Sequence, residues 1–112
     1  MTLQSKQSRF VKEFSEFLIW VYSQGYEVTY GEFYRTEEQA ALNAKKGVGI
    51  KNSLHTVRLA ADINLFKNGK WLTSTEDHRP LGEKWESMGE DHRWGGRFGD
   101  GNHYSIEHEG RR

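Results

Sequence analysis

The sequence predicts an α+β fold: a small antiparallel sheet with helices packed on one side. Three observations lead there. Apolar residues recur at three- and four-residue spacing over 8–24, as on one face of a helix. They alternate with polar residues over 58–66, and Asn68-Gly69 follows as a hairpin turn. Four Trp, five Tyr and six Phe offset a polar composition, since each ring buries a large area. The 112 residues fit one domain, 1–112, with no separate second module expected.

In chain order, Phe10, Val11, Phe14, Leu18, Val21 and Tyr22 mark the inner side of the first helix, and Gly25 stands at its C-cap. Residues 27–33 are β-branched and aromatic and read as a strand. Thr36 is an N-cap, with Gln39 completing a capping-box pattern, for a second helix that runs to Gly47. A Gly-, Lys- and Asn-rich loop over 47–52 delivers Ser53 and His55 to the next strand. In that strand Leu59, Ala61, Ile63 and Leu65 share one face, and Arg58, Ala60, Asp62 and Asn64 the other. The return strand covers 70–73.

Residues 74–79 read as a polar loop, with Pro80 opening a short helix through Glu90 whose apolar side is Leu81, Trp85 and Met88. Residues 94–101 form a glycine-dense loop, 103–108 a last strand, and 109–112 a frayed tail. His78, His92 and His108 read as surface residues.

Charge removes one class of function. Sixteen basic residues balance sixteen acidic ones, which is not the basic footprint of a nucleic-acid binder. A histidine-and-asparagine metal nuclease, which Asp91-His92 and Asn102-His103 superficially resemble, fails on the same ground. With no cysteine, disulfides and thiolate metal sites are absent. Residues 1–7 lack the apolar run of a signal peptide, and no stretch reaches the length of a membrane span, so no membrane insertion is expected.

One constellation carries chemistry. His55, Asp62 and His103 offer two imidazoles and one carboxylate, the ligand set of a catalytic zinc ion that keeps a position open for water. Spacing alone leaves other readings in place. Asp62 on a polar strand face fits a solvated carboxylate, and Asp100 among glycines fits an ordinary turn aspartate. Arg35 fits a surface charge or a partner of Glu38, and Trp94 a core or pocket wall.

Three motifs in order narrow the choice: Tyr34-Arg35-Thr36-Glu37-Glu38-Gln39; Ser53-Leu54-His55 with Ala61-Asp62; and Trp94-Gly95-Gly96 with Asp100-Gly101-Asn102-His103. Over residues 34–107 the chain resembles the zinc D-Ala-D-Ala carboxypeptidase and L-Ala-D-Glu endopeptidase family, especially its bacteriophage endolysins. The resemblance implies a zinc cleft on the sheet, as in hedgehog and DD-peptidase domains, with Zn2+ held by His55, Asp62 and His103. It implies Asp100 as catalytic base and Arg35 as the group that polarises the scissile carbonyl or holds a substrate carboxylate. Ser53 and Trp94 are expected beside the substrate, and Glu107 behind a ligating histidine. The implied partner is the peptidoglycan stem peptide, met by a monomer that waits in the host cytoplasm until lysis. A zinc-stabilised module that binds wall peptide without cutting it is the non-catalytic rival, and an intact Asp100 weighs against it.

Overall fold

A computed structural model describes residues 2–47 and 53–111. Its elements are α1 (Leu3–Ser23), β1 (Glu27–Tyr30), α2 (Glu37–Lys45), β2 (Ala60–Lys67), β3 (Lys70–Leu72), α3 (Thr75–Ser87), β4 (His92–Trp94) and β5 (His103–Ile106). Single 3-10 turns occupy Leu54–Val57 and Gly95–Phe98. The architecture is the α+β arrangement expected: three helices and a five-stranded antiparallel sheet in the order β1-β2-β5-β4, with β3 pairing the far end of β2. Of the loop expected over 47–52, all but Gly47 lies outside the described residues. Among the described residues no helix is long and apolar enough to cross a membrane.

Helix α1 starts earlier than the apolar periodicity shows. The Thr2 hydroxyl accepts from the Ser5 N–H (3.1 Å), and the first turns are polar. Its buried stripe is Phe10, Phe14, Phe17 and Val21, while Val11 and Tyr22 face solvent. Phe10, Phe14 and Phe17 close on Trp85 of α3 with ring centroids 5.3–5.9 Å apart, and Phe17 lies 5.2 Å from the Tyr104 ring. Tyr104 faces both helices, because the His78 ring of α3 lies 6.0 Å from it. Alternation along β5 therefore turns His103 to the opposite face, where Asp62 also lies.

The expected loop over 74–79 is instead the start of α3. Ser74 and Asp77 form a reciprocal capping box, each side chain bonded to the other's backbone N–H (3.0 and 3.2 Å). Pro80 thus sits inside the helix, where its missing N–H leaves the carbonyl of exposed Glu76 to water. Helix α2 is capped at Thr36, whose hydroxyl accepts from the Gln39 N–H (3.0 Å), but the Gln39 side chain donates to Asn43 (2.6 Å) instead of closing the box.

Strand β4 lies between the helix read through Glu90 and the glycine loop read from 94, too short for its alternation to register. At the C-terminus, His108 and Arg111 pair across a bridge and the Gly110 N–H donates to Glu107 (2.6 Å). Residues 108–111 are thus a closed turn, and Glu107 serves that turn instead of a ligating histidine.

Candidate metal centre

Register brings the three candidate ligands together. Strands β2 and β5 place Asp62 directly opposite His103. The Asp62 N–H donates to the Glu32 carbonyl (2.8 Å) and its carbonyl accepts from the Gly31 N–H (2.8 Å), so its backbone bonds all run toward β1. Asp62 and His103 are therefore a non-hydrogen-bonded antiparallel pair, the kind whose side chains lie closest. Gly31 and Glu32 together face the single residue Asp62, a bulge that ends β1 short of the expected Phe33.

His55 arrives from the other direction. The Ser53 hydroxyl accepts from the His55 N–H (3.2 Å) and caps the turn Leu54–Val57. Arg58, in the left-handed region at φ 57°, then turns the chain into β2. The His55 ring donates from Nδ1 to the Phe33 carbonyl (2.9 Å), which leaves the lone pair on Nε2 for a ligand.

His55 Nε2, Asp62 Oδ1 and His103 Nδ1 form a triangle with all three sides 3.2 Å. Both imidazoles are buried. Zinc–ligand bonds of about 2.0–2.1 Å give edges of about 3.3 Å in a regular tetrahedron, so the triangle fits one face of a four-coordinate cation. The donor chemistry fits as well: three lone pairs converge, and only a shared proton or a cation can satisfy them. Among the described residues His103 Nε2 is buried without a hydrogen-bond partner, so that ring is anchored through Nδ1. These three residues could hold a metal ion.

Electrostatics of the metal-free site follow the same geometry. Burial pushes the Asp62 carboxyl up, but hydrogen bonds and charge from His103 and His55 outweigh it and hold its pKa at about 2. Burial pulls His55 down, while the hydrogen bond and charge of Asp62 more than reverse this and leave it raised.

Two further groups border the triangle. Asp100 follows the turn Gly95–Phe98 and is fixed by its N–H donating to the Gly95 carbonyl (2.9 Å) and its carbonyl accepting from the His103 N–H (3.1 Å). Its Oδ2 lies 3.9 Å from His103 Nδ1, on a half-exposed side chain. Burial raises its pKa, and the Asp62 charge adds to this against the pull of His103, His55 and Arg35. Arg35 donates its backbone N–H to the His55 carbonyl (3.1 Å), and its guanidinium is gripped by Glu32, not by Glu38. Glu32 and the Phe33 carbonyl escape a reading by motif, because a backbone acceptor leaves no mark in sequence.

Ser53 and Trp94, expected beside the substrate, are both buried. Trp94 donates from Nε1 to the Gly101 carbonyl (2.7 Å), holding the loop that carries Asp100. Gly95 is required beside it, since a Cβ there would meet the Asp100 carbonyl oxygen at 2.2 Å. A Cβ on Gly82 of α3 would lie 2.0 Å from the Trp94 ring. Gly82→Ala, which in an open helix gains about 1 kcal/mol, is expected here to destabilise by about 1–3 kcal/mol through overpacking, measured by urea unfolding.

His78 and His92, read as surface residues, are both buried, and His108 is partly so. His78 bonds through Nδ1 to the Tyr104 hydroxyl (2.7 Å). His92 lies 3.0 Å from Glu13 of α1 and 3.2 Å from Asp91.

A protein-family model described as D-alanyl-D-alanine carboxypeptidase matches residues 46–106, just over half of the 112-residue chain. The match includes His55, Asp62, Asp100 and His103. No curated protein sequence matches the chain.

Proposed function

The chain belongs to the D-alanyl-D-alanine carboxypeptidase family of peptidases, which act on the peptide of peptidoglycan, and from that premise we propose a zinc-dependent endopeptidase that hydrolyses the L-Ala-D-Glu bond of the stem peptide. The observation that carries this reading is Asp100, a carboxylate 3.9 Å from His103 Nδ1 at the border of a triangle of metal-binding atoms. The motifs shared with bacteriophage endolysins extend the proposal to a role in host lysis.

His55 through Nε2, Asp62 through Oδ1 and His103 through Nδ1 would hold the zinc ion. When bound, zinc supplies Lewis acidity, bringing the pKa of water toward ~7 and drawing charge from a carbonyl oxygen. Asp100 accepts the proton of the attacking water on its carboxylate and returns it to the departing amine nitrogen. The Arg35 guanidinium, beside His55, stabilises negative charge as it develops on the scissile carbonyl oxygen. Glu32 keeps the guanidinium in place. Glu32→Gln is expected to lower kcat by up to about 10²-fold through a misplaced Arg35, with zinc affinity unchanged by equilibrium titration.

Digestion of purified peptidoglycan, with and without a chelator, tests the reading. New N-terminal D-Glu that disappears with chelator and returns with added zinc is the expected product. Release of D-Ala alone would assign the carboxypeptidase reaction of the same family. Absence of any cleavage by folded, zinc-loaded protein would leave a wall-peptide-binding module.

A further inference from the structure

A cavity of about 290 Å³ opens beside Asp100, along β2 at Ile63 and Asn64, between the stretches that pair with β5 and β3. Its walls include Asn64, Trp71, Thr73, Thr75, His78 and Asn102. Among the described residues that line it there is no Lys or Arg, and Asp100 supplies its one carboxylate. His78 adds no positive charge near neutral pH, because burial holds its pKa at about 4. With Nδ1 engaged by the Tyr104 hydroxyl, Nε2 is its remaining polar atom. Apart from Asp100, the polar lining is thus one of neutral donors and acceptors, beside Ile63, Leu72 and the exposed Trp71 ring at the β3 edge.

Arg35 donates its backbone N–H to the His55 carbonyl, and its charge reaches Asp100 as well, but it does not line this cavity, which Asp100 borders beside His103. Since Asp100 passes a proton to the departing amine, the cavity lies on the leaving-group side. A free carboxylate entering it would lose water, meet no Lys or Arg among the lining residues and approach Asp100. A carboxamide of the same shape would keep its hydrogen bonds with Asn and Thr side chains.

We propose that this cavity is the subsite for the first leaving-side residue and selects a substrate whose α-carboxyl group there is amidated, D-isoglutamine over D-glutamate. The inference rests on the peptidase reading above.

Two stem peptides that differ only in that carboxyl or carboxamide group test it with zinc-loaded protein. The amide is expected to be cleaved with kcat/KM at least about 10-fold higher, a difference of about 1.4 kcal/mol. Calorimetric titration of the two leaving-side products is expected to give the same order of affinity. Thr73→Arg, a change at an exposed position, puts a cation at the cavity and is expected to bring the ratio to unity or reverse it. Equal cleavage of both peptides, faster cleavage of the acid, or a ratio that Thr73→Arg does not move would overturn the subsite. Cleavage of neither peptide would overturn the peptidase reading itself, a result distinct from equal cleavage of both.

Discussion

Asp100→Asn is expected to lower turnover on a stem-peptide substrate by about 10²–10⁴-fold, the usual contribution of a positioned general base. The amide keeps the shape of the carboxylate, and the loop is held by backbone bonds from Gly95 and His103 that the substitution leaves intact. Zinc affinity and unfolding temperature should therefore stay near those of the parent protein. The acid limb of the kcat/KM profile is a second readout. With Asp100 as the base, activity should fall as acid protonates its carboxylate. In the Asn variant that limb should be lost. An Asn variant that cuts at the parent rate would remove Asp100 from the chemistry.

Replacing a ligand should have the larger effect. His103→Ala leaves Asp62 and His55 as a two-point site, and the loss in zinc affinity is expected to exceed the roughly 10²-fold cost of disturbing an outer partner of a ligand. Activity should fall to background, with competition against a chromophoric chelator as the check. The pH dependence follows from the metal-free site. His55 is raised above 6.5, so the stability its charged form draws from Asp62 is fully present below 6.5 and is lost as pH rises through its folded value. Asp62 is depressed, so its contribution is present above 3.8 and is lost as pH falls through about 2. The pair thus supports the metal-free fold best between those limits. Above them zinc no longer competes with the His55 proton, and it replaces a contact that has disappeared. The rise in Tm produced by saturating zinc should therefore grow from about pH 6 to about pH 8, while a rise that shrinks over that range would place zinc elsewhere.

Much of the fold and of the site is legible in the sequence. The alternation of Leu59, Ala61, Ile63 and Leu65 places Asp62 on the open face of β2, and that face carries the triangle. What pattern could not supply was pairing. That Asp62 meets His103 across a non-hydrogen-bonded register depends on Gly31 and Glu32 claiming the other edge of β2, a long-range fact. In α1 the inner stripe runs through Phe17 and not Val11, because tertiary contact with Trp85 and Tyr104 decides which of two apolar faces turns inward. His78 was lost with the start of α3: once Ser74 and Asp77 are seen as a capping box, His78, Leu81 and Trp85 form one buried face. His92 is buried because β4 alternates it with buried Trp94 around Arg93, in a strand of three residues too short to show its period in sequence. Ser53 and Trp94 carry motif positions, yet their place beneath the surface follows from what packs on them.

The central claim is that His55, Asp62 and His103 hold one zinc ion, and zinc K-edge absorption on protein of measured metal content tests it most directly. One zinc per chain is expected, bound to nitrogen and oxygen only, with imidazole scattering that weakens or vanishes in both His55→Ala and His103→Ala. Protein that holds no zinc at neutral pH, or that keeps the same imidazole signal when both histidines are replaced, would contradict it.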